Sequence, residues 1–182
     1  MSNAFQKRTI AFQSRLAEVG VDVSVIFDAD NIFYLSAFWG YLGMQFGRPT
    51  LLVIPDEGDC SIITPSLEAE MAHKMTWIED IKEWSDGVGG EWRVCLDIIF
   101  KNEKNMKIGI EKNKTHPVIT EFIKKAYPDV LVVDISNILS DMRMVKTPEE
   151  IETMHQAGQV SVAMCEGGKE AIAEGVPEYE VA

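Results

Sequence analysis

The sequence of 182 residues lacks the features of a secreted, membrane-spanning or nucleic-acid-binding protein. Its three cysteines, Cys60, Cys95 and Cys165, are isolated and odd in number, so we expect neither a disulfide framework nor a thiolate metal site. Buried, reduced cysteines in a cytoplasmic protein are the simpler interpretation. No apolar run approaches the ~20 residues of a membrane helix. Lys and Arg number 17 against 29 Asp and Glu, and the resulting formal charge of −12 disfavours binding to nucleic acid or to anionic membranes.

The motifs of common catalytic centres are missing as well. His73, His116 and His155 fall on three different predicted helices without a metal-binding spacing, so we expect structural or solvent-facing roles. There is no Gly-x-Ser-x-Gly segment, and no Cys or Ser has a base placed by a motif. The glycines at 87, 89 and 90 precede a helix, but Trp92 stands where a dinucleotide fingerprint needs its third glycine. We therefore predict no catalytic residue and no metal ligand in this chain.

What the sequence does contain is an alternation of helical and strand patterns. Strands are predicted at 23–27, 50–54, 60–64, 107–111 and 130–133, with a further strand within 77–84. Helices are predicted at 5–19, 28–35, 66–74 and 91–100, and from 115 onward. The inner face of the first helix is predicted to carry Phe5, Phe12, Leu16 and Val19. The turn at 55–59 predicts an antiparallel hairpin, whereas strands separated by helices favour parallel neighbours. The expected fold is α/β, a mixed β-sheet flanked by helices.

Polar residues stand at several of the predicted helix starts. Asp28 and Asp30 follow a strand, at a position where functional groups often gather in α/β folds, but their spacing favours a turn and a helix cap. Ser66 and Thr115 are predicted to cap the helices that follow them.

The C-terminal segment predicts a long helix. Thr147 can act as N-cap, Pro148 suits the first helical position and Glu150 completes a capping box. Small or apolar residues then recur along one face as far as Ile172. Something should pack closely on this face, yet little sequence remains to do so. We therefore expect a first domain at 1–141, and at 142–182 a linker and the first helix of a truncated second domain.

One loop, residues 38–49, could bind a ligand. It holds four aromatic residues, three glycines and Arg48. Glycines allow the loop to bend, aromatic rings offer flat contact area, and a guanidinium can hold a carboxylate through two parallel hydrogen bonds. The alternative is that the aromatic residues fill the domain's own core and that Arg48 points to water.

Three segments together resemble the creatinase/prolidase family, which contains Xaa-Pro dipeptidases, aminopeptidase P and creatinase. They are Asn-Ile-Phe-Tyr-Leu-Ser-Ala-Phe at 31–38, Ile-Gly-Ile-Glu at 108–111 and Arg-Met-Val-Lys-Thr-Pro-Glu-Glu-Ile at 143–151. The resemblance implies an N-terminal α/β domain followed by the first helix of an absent "pita-bread" catalytic domain. It implies a cytoplasmic hydrolase as the parent, first of all an Xaa-Pro dipeptidase or aminopeptidase.

The resemblance also implies cofactors, partners and a site. A peptidase parent would bind two divalent metal ions (Mn, Co or Zn) in its C-terminal domain, whereas a creatinase-like amidinohydrolase acting on a small carboxylated substrate would use none. The N-terminal domain would form a homodimer with its loops at the neighbouring active site. Phe46 and Arg48 resemble the creatinase Phe-Gly-Arg segment, so Phe46 would cover a small peptide or carboxylated substrate and Arg48 would hold its carboxylate. A non-catalytic binding or dimerisation module is the remaining alternative.

Overall fold

In the computed structural model, strands and helices alternate along the chain around one mixed β-sheet. The structure describes residues 2–42, 47–87, 91–100 and 105–181. Within these residues the sheet has six strands, which are β1 (Val23–Ile26), β2 (Leu51–Pro55), β3 (Ser61–Pro65), β4 (Asp80–Trp84), β5 (Lys107–Ile110) and β6 (Leu131–Asp134).

The strand order is β4-β3-β2-β1-β5-β6. The pairs β1–β2 and β2–β3 are antiparallel, while β3–β4, β1–β5 and β5–β6 are parallel. The mixed sheet and its β2–β3 hairpin confirm the fold predicted from the sequence. Parallel neighbours occur where a helix separates two strands, because a parallel connection needs a crossover.

The helices described are α1 (Ser2–Glu18), α2 (Ala29–Ser36), α3 (Ser66–Met75), α4 (Glu91–Phe100), α5 (Pro117–Ala126), α6 (Ser136–Met144), α7 (Pro148–Ala171) and α8 (Glu178–Val181). Helix α6 was not predicted. It begins where the Asp134 carboxylate accepts hydrogen bonds from the backbone N–H and the hydroxyl of Ser136, at 3.0 and 2.6 Å. The sequence pattern missed it because Leu139 is its one buried residue.

The core lies on the central strands. All residues of β1 are buried, as are four of the five in β2 and in β3, which is typical of strands covered on both faces. The edge strands β4 and β6 are only partly buried. Val19, predicted to face inward from α1, is instead 55% exposed, because α1 ends at Glu18 and the buried face consists of Thr9, Phe12 and Leu16.

Two predicted helix caps are wrong. At α3 the N-cap residue is Pro65, which makes no side-chain cap, and the Ser66 hydroxyl instead donates to the carbonyl of Trp84 at 2.9 Å. At α5 the N-cap is His116, whose Nδ1 accepts the N–H of Val118 at 3.3 Å. Proline occupies the first helical position of α5, so the cap falls on the residue directly before it rather than on Thr115.

The chain divides into two compact units, residues 1–140 and 141–182. In the second unit the predicted capping box is confirmed. The N–H of Glu150 donates to the Thr147 hydroxyl at 3.2 Å, and the N–H of Thr147 donates to the Glu150 carboxylate at 2.8 Å. No residue of α7 is buried within the described chain. The expectation of buried cysteines is confirmed for Cys60 and Cys95, but Cys165, on this helix, is exposed. None of the described helices has both the length and the apolar character needed to cross a bilayer.

Candidate functional site

The α2–β2 loop (residues 37–50) connects the C-terminus of α2 to the first residue of β2. Helix α2 ends at Ala37, which adopts a left-handed conformation (φ 67°) and donates its N–H to the carbonyl of Phe33 at 2.9 Å. Phe38 then enters the core and is fully buried. At the other end, the indole N–H of Trp84 donates to the carbonyl of Pro49 at 3.2 Å. Both ends of the loop are therefore held by the body of the domain.

A buried carboxylate on α3 contacts this loop at residues 41, 42 and 50. Glu68 is fully buried, and its Oε1 accepts the backbone N–H groups of Tyr41 at 2.5 Å and Leu42 at 2.9 Å. Its Oε2 accepts the Thr50 hydroxyl at 3.3 Å. Thr50 in turn shares a hydrogen bond with the hydroxyl of Thr64 in β3 at 3.0 Å. Tyr41, Leu42 and Thr50 are thus bound to the same side chain.

Arg48 lies on the surface beside Asp86, and Asp86 belongs to the segment between β4 and α4. Its Nε donates to Asp86 Oδ2 at 2.8 Å, and Nη2 donates to the same oxygen. The Arg48 side chain is 33% exposed and that of Asp86 57%, so the pair is solvated and stabilises the fold by about 0–1 kcal/mol. The hydrogen bonds given by the described residues leave Nη1 of Arg48 available to another acceptor.

The aromatic residues of the loop divide between core and surface. Phe38 is buried, whereas Trp39 and Tyr41 are 60% and 61% exposed. Phe46, the other predicted substrate contact, lies outside the described residues. Of the alternative in which the aromatic residues of the loop fill the core and Arg48 points to water, Phe38 fits the first part and Trp39 and Tyr41 do not, while Arg48 is partly exposed and paired with Asp86.

A second group of polar side chains lies where β1 and β5 end. Glu111 is buried, and its Oε2 accepts the backbone N–H groups of Phe27 and Asp28, both at 3.0 Å, while Oε1 accepts the Asn31 side-chain amide. Burial raises the pKa of Glu111 above its ordinary value, although these hydrogen bonds act in the opposite direction. Asp28 caps α2 by accepting the N–H of Asn31 at 3.2 Å and pairs with Lys114 at 3.1 Å. Because every one of these interactions joins two parts of the fold, the group is structural, and capping by Asp28 is confirmed.

A cleft of about 470 Å³ lies beside β5, β6 and α5. Its charged residues are Lys112, Lys124, Glu121 and Asp134, and these charges cancel. The Thr115 hydroxyl is buried and has no hydrogen-bond partner in the described part of the chain, but its oxygen is itself inaccessible. The cleft therefore presents no net charge that would select a ligand of one sign.

The described residues do not fit a metal centre. They contain no group of three or more His, Cys, Asp or Glu side chains that could hold an ion. His73 pairs loosely with Glu83 at 3.5 Å, His116 caps α5, and His155 lies exposed on α7. No chemical step can therefore be assigned to a metal held by these residues.

Comparison with known families decides the relationship. A sequence model of the creatinase/prolidase N-terminal domain matches residues 8–145, which is more than half of the chain. The chain belongs to the creatinase/prolidase N-terminal domain family. The resemblance inferred from the three sequence segments is thereby confirmed.

Relatives within this family carry different activities. The chain is 26% identical over 179 residues to the creatinase of Bacillus sp. (strain B-0618), covering 97% of this chain and 42% of that protein. It is 26% identical over 172 residues to the Xaa-Pro dipeptidase of Lactobacillus helveticus, covering 93% and 46%. The crystal structure of a prolidase from Thermococcus sibiricus has the same fold, with a TM-score of 0.80 at 23% identity over 100% of this chain and 48% of that one. The chain thus spans less than half the length of these relatives.

Glu68 is the residue of this site that sequence reasoning missed. A signal was available, because Glu68 adjoins Ala69 and stands four residues before Ala72, and all three face inward from α3. A carboxylate on the apolar face of a helix requires donors, and those donors belong to a loop that is distant in sequence.

Proposed function

We propose that this chain is the N-terminal domain of a longer hydrolase and that its α2–β2 loop contributes contacts to the substrate. In this proposal Arg48 holds a substrate carboxylate and Phe46 covers the substrate. The observation that carries the proposal is the placement of Arg48, a partly exposed guanidinium with one nitrogen unengaged by the described residues, on a loop that also exposes Trp39 and Tyr41. A surface of this kind suits a small ligand with a carboxylate and an apolar body.

The leading activity is that of an Xaa-Pro dipeptidase or aminopeptidase, and the second is a creatinase-like amidinohydrolase. The two relatives with these activities are equally similar to the chain, at 26% identity each. A peptidase would need two divalent ions (Mn, Co or Zn), which a C-terminal domain would have to bind and which would activate water for attack. A creatinase-like enzyme would act without them. Assays of the protein with its C-terminal domain, with and without a chelator, on an Xaa-Pro dipeptide and on creatine separate the two.

We further propose a homodimer in which the α2–β2 loop faces the active site of the neighbouring subunit. The exposed apolar side chains of α7, among them Ile151 and Met164, would be covered by the C-terminal domain. A cytoplasmic location remains a prediction from the cysteine usage. A monomer with full activity would refute the shared site. Turnover by this chain alone would refute the assignment of the chemistry to a further domain.

The loop is tested by a substitution whose effect on recognition of the substrate carboxylate can be separated from its effect on the rest of substrate binding and catalysis. In the protein with its C-terminal domain, kcat/KM is measured for an Xaa-Pro dipeptide and for its C-terminal amide, or for creatine and creatinamide. Loss of a charge-assisted hydrogen bond costs about 1.5–3 kcal/mol, so Arg48→Ala should lower kcat/KM for the acid about 10–100-fold. The amide, which has no carboxylate to lose, should be affected far less.

Arg93→Ala is the matched control. Arg93 is 38% exposed and pairs with Glu91 at 3.3 Å, as Arg48 pairs with Asp86, but it lies on α4. It should leave the preference for the acid unchanged. If Arg48→Ala also leaves that preference unchanged, Arg48 does not bind the substrate. If the longer protein hydrolyses none of these compounds and only associates, the binding or dimerisation module is the better account.

A further inference from the structure

One buried side chain holds residues from both halves of the loop proposed to contact the substrate. Glu68 accepts hydrogen bonds from Tyr41 and Leu42 in the first half of the loop and from Thr50 at its end. These three donors are separated by up to nine residues of sequence but converge on two oxygen atoms of one carboxylate. The carboxylate therefore holds Tyr41 and Leu42 close to Thr50, and Arg48 lies two residues before Thr50.

Glu68 has no cation to neutralise it within the described part of the chain, where the ion pairs involve other acids. Among the described residues, the donors to this carboxylate all belong to the loop, so the carboxylate and the loop depend on each other. If the loop moved away, a buried charge would lose its partners. This makes the described conformation of the loop much more favourable than alternatives that leave Glu68 without donors.

The same turn of α3 also contacts the residue that precedes the ion-pair partner of Arg48. The hydroxyl of Ser66 lies 2.7 Å from that of Ser85, the residue before Asp86. Helix α3 thus contacts both the loop that bears Arg48 and the segment that bears its ion-pair partner. Contacts from one helix therefore hold both the loop of Arg48 and the segment of Asp86.

The backbone passes Glu68 so closely at Gly40 that a side chain there would displace the carboxylate. A Cβ atom on Gly40 would lie 2.9 Å from Oε2 and 3.2 Å from Oε1 of Glu68. Glycine at this position lets the N–H groups of the next two residues point at the carboxylate.

From this geometry we infer that Glu68 is a positioning residue for substrate recognition, which acts by holding the α2–β2 loop so that Arg48 meets the substrate carboxylate. The inference rests on the proposed function of Arg48. It predicts that loss of Glu68 impairs recognition of the carboxylate through Arg48 rather than through general instability.

Glu111 provides a matched control elsewhere in the same domain. It is also a buried glutamate that accepts two backbone N–H groups and one side-chain donor, but its donors belong to residues 27, 28 and 31. Glu68→Ala and Glu111→Ala therefore remove the same chemical group from similar surroundings. Glu68→Gln serves as rescue, because its amide oxygen can accept the N–H groups of Tyr41 and Leu42 while its amide N–H donates to the hydroxyl of Thr50.

The first measurement is hydrogen exchange on this chain. The amides of Tyr41 and Leu42 should exchange about 10-fold faster or more in Glu68→Ala, should remain close to wild type in Glu68→Gln, and should be unaffected by Glu111→Ala. Should Glu68→Ala fail to fold, Gly40→Ala displaces the carboxylate without removing it and should give the same local acceleration. Wild-type exchange at both amides in either variant would overturn the inference.

The second measurement is the preference for acid over amide in the protein with its C-terminal domain. Glu68→Ala should reduce this preference at least several-fold, Glu68→Gln should restore most of it, and Glu111→Ala should leave it unchanged. Because Glu68 acts through Arg48, the double variant Arg48→Ala/Glu68→Ala should show no lower preference than Arg48→Ala alone.

The outcomes separate the two proposals. If Arg48→Ala abolishes the preference and Glu68→Ala does not change it, the inference about Glu68 fails while the proposed function stands. If Arg48→Ala has no effect, both fail. Equal effects of Glu68→Ala and Glu111→Ala would indicate general destabilisation and would also overturn the inference.

Discussion

Substitution of Gly109 by alanine should destabilise the sheet through a specific steric contact. Gly109 lies in β5 between Ser24 of β1 and Val133 of β6. A Cβ atom there would lie 2.7 Å from Cγ2 and 3.2 Å from Cδ1 of Ile135, and 3.0 Å from Cγ1 of Val21. Both neighbours are 1% exposed and cannot move into solvent.

The expected cost can be worked out from two opposing terms. Overpacking a core typically costs about 1–3 kcal/mol, and contacts this short belong at the upper end of that range. Replacing glycine within a strand recovers about 0.5–1 kcal/mol of backbone entropy. Gly109→Ala should therefore lower the free energy of unfolding by about 2 kcal/mol, measured by urea denaturation with circular dichroism. Gly158→Ala is the control, because a Cβ there meets nothing within 4 Å and should stabilise the exposed helix α7.

A double-mutant cycle identifies the contact responsible. Ile135→Ala removes both contacting carbon atoms of that side chain and by itself should cost about 2–5 kcal/mol. In this background Gly109→Ala should cost little or should stabilise the protein, which gives a favourable coupling energy of about 1 kcal/mol or more. Additive effects, or a stable Gly109→Ala single variant, would refute the steric account.

Two further predictions concern ionisable groups. Burial, aided by Asp59, raises the pKa of the Cys60 thiol to about 12, and burial also raises the pKa of Cys95. At pH 8 a thiol reagent should therefore label one cysteine of the native chain, the exposed Cys165, and all three after unfolding. Fast labelling of Cys60 in the native chain would contradict this. Because burial raises the folded-state pKa of Glu111, its contribution to stability is fully present below the unfolded-state pKa and is lost as pH rises through the folded-state pKa. The unfolding free energy of wild type relative to Glu111→Gln should therefore decrease as pH rises from 4 through that window, and a difference that is constant or increasing with pH would be contrary to the expected burial effect.

The sequence was sufficient to predict the mixed sheet because its signals are local. The apolar runs that became β2 and β3 lie on either side of a short polar turn, and the capping box of α7 consists of residues that are three positions apart. Such patterns depend on neighbouring residues alone.

The errors arise where the role of a side chain depends on a partner that is distant in sequence. The Ser66 hydroxyl bonds to Trp84 and Ser85, which are 18 and 19 residues away, so it does not cap its own helix. Arg48 pairs with Asp86, which is 38 residues away, and Glu68 bonds to donors that are 18 to 27 residues away. A single sequence records that Glu68 stands on an inward face, but not which donors meet it. The part of the site that depends on such contacts could therefore not be predicted.

Two of the three segments that carry the family resemblance are physically connected. Asn31, from the first segment, donates its side-chain amide to Glu111, from the second, 80 residues later in the chain. Through this bond and two backbone N–H groups, Glu111 holds the turn from which α2 starts. These interactions join parts of the fold and leave Glu111 no exposed surface for a substrate. A dipeptidase and a creatinase could therefore share this arrangement, and differences between their substrates must arise in the loop and in the domain that follows.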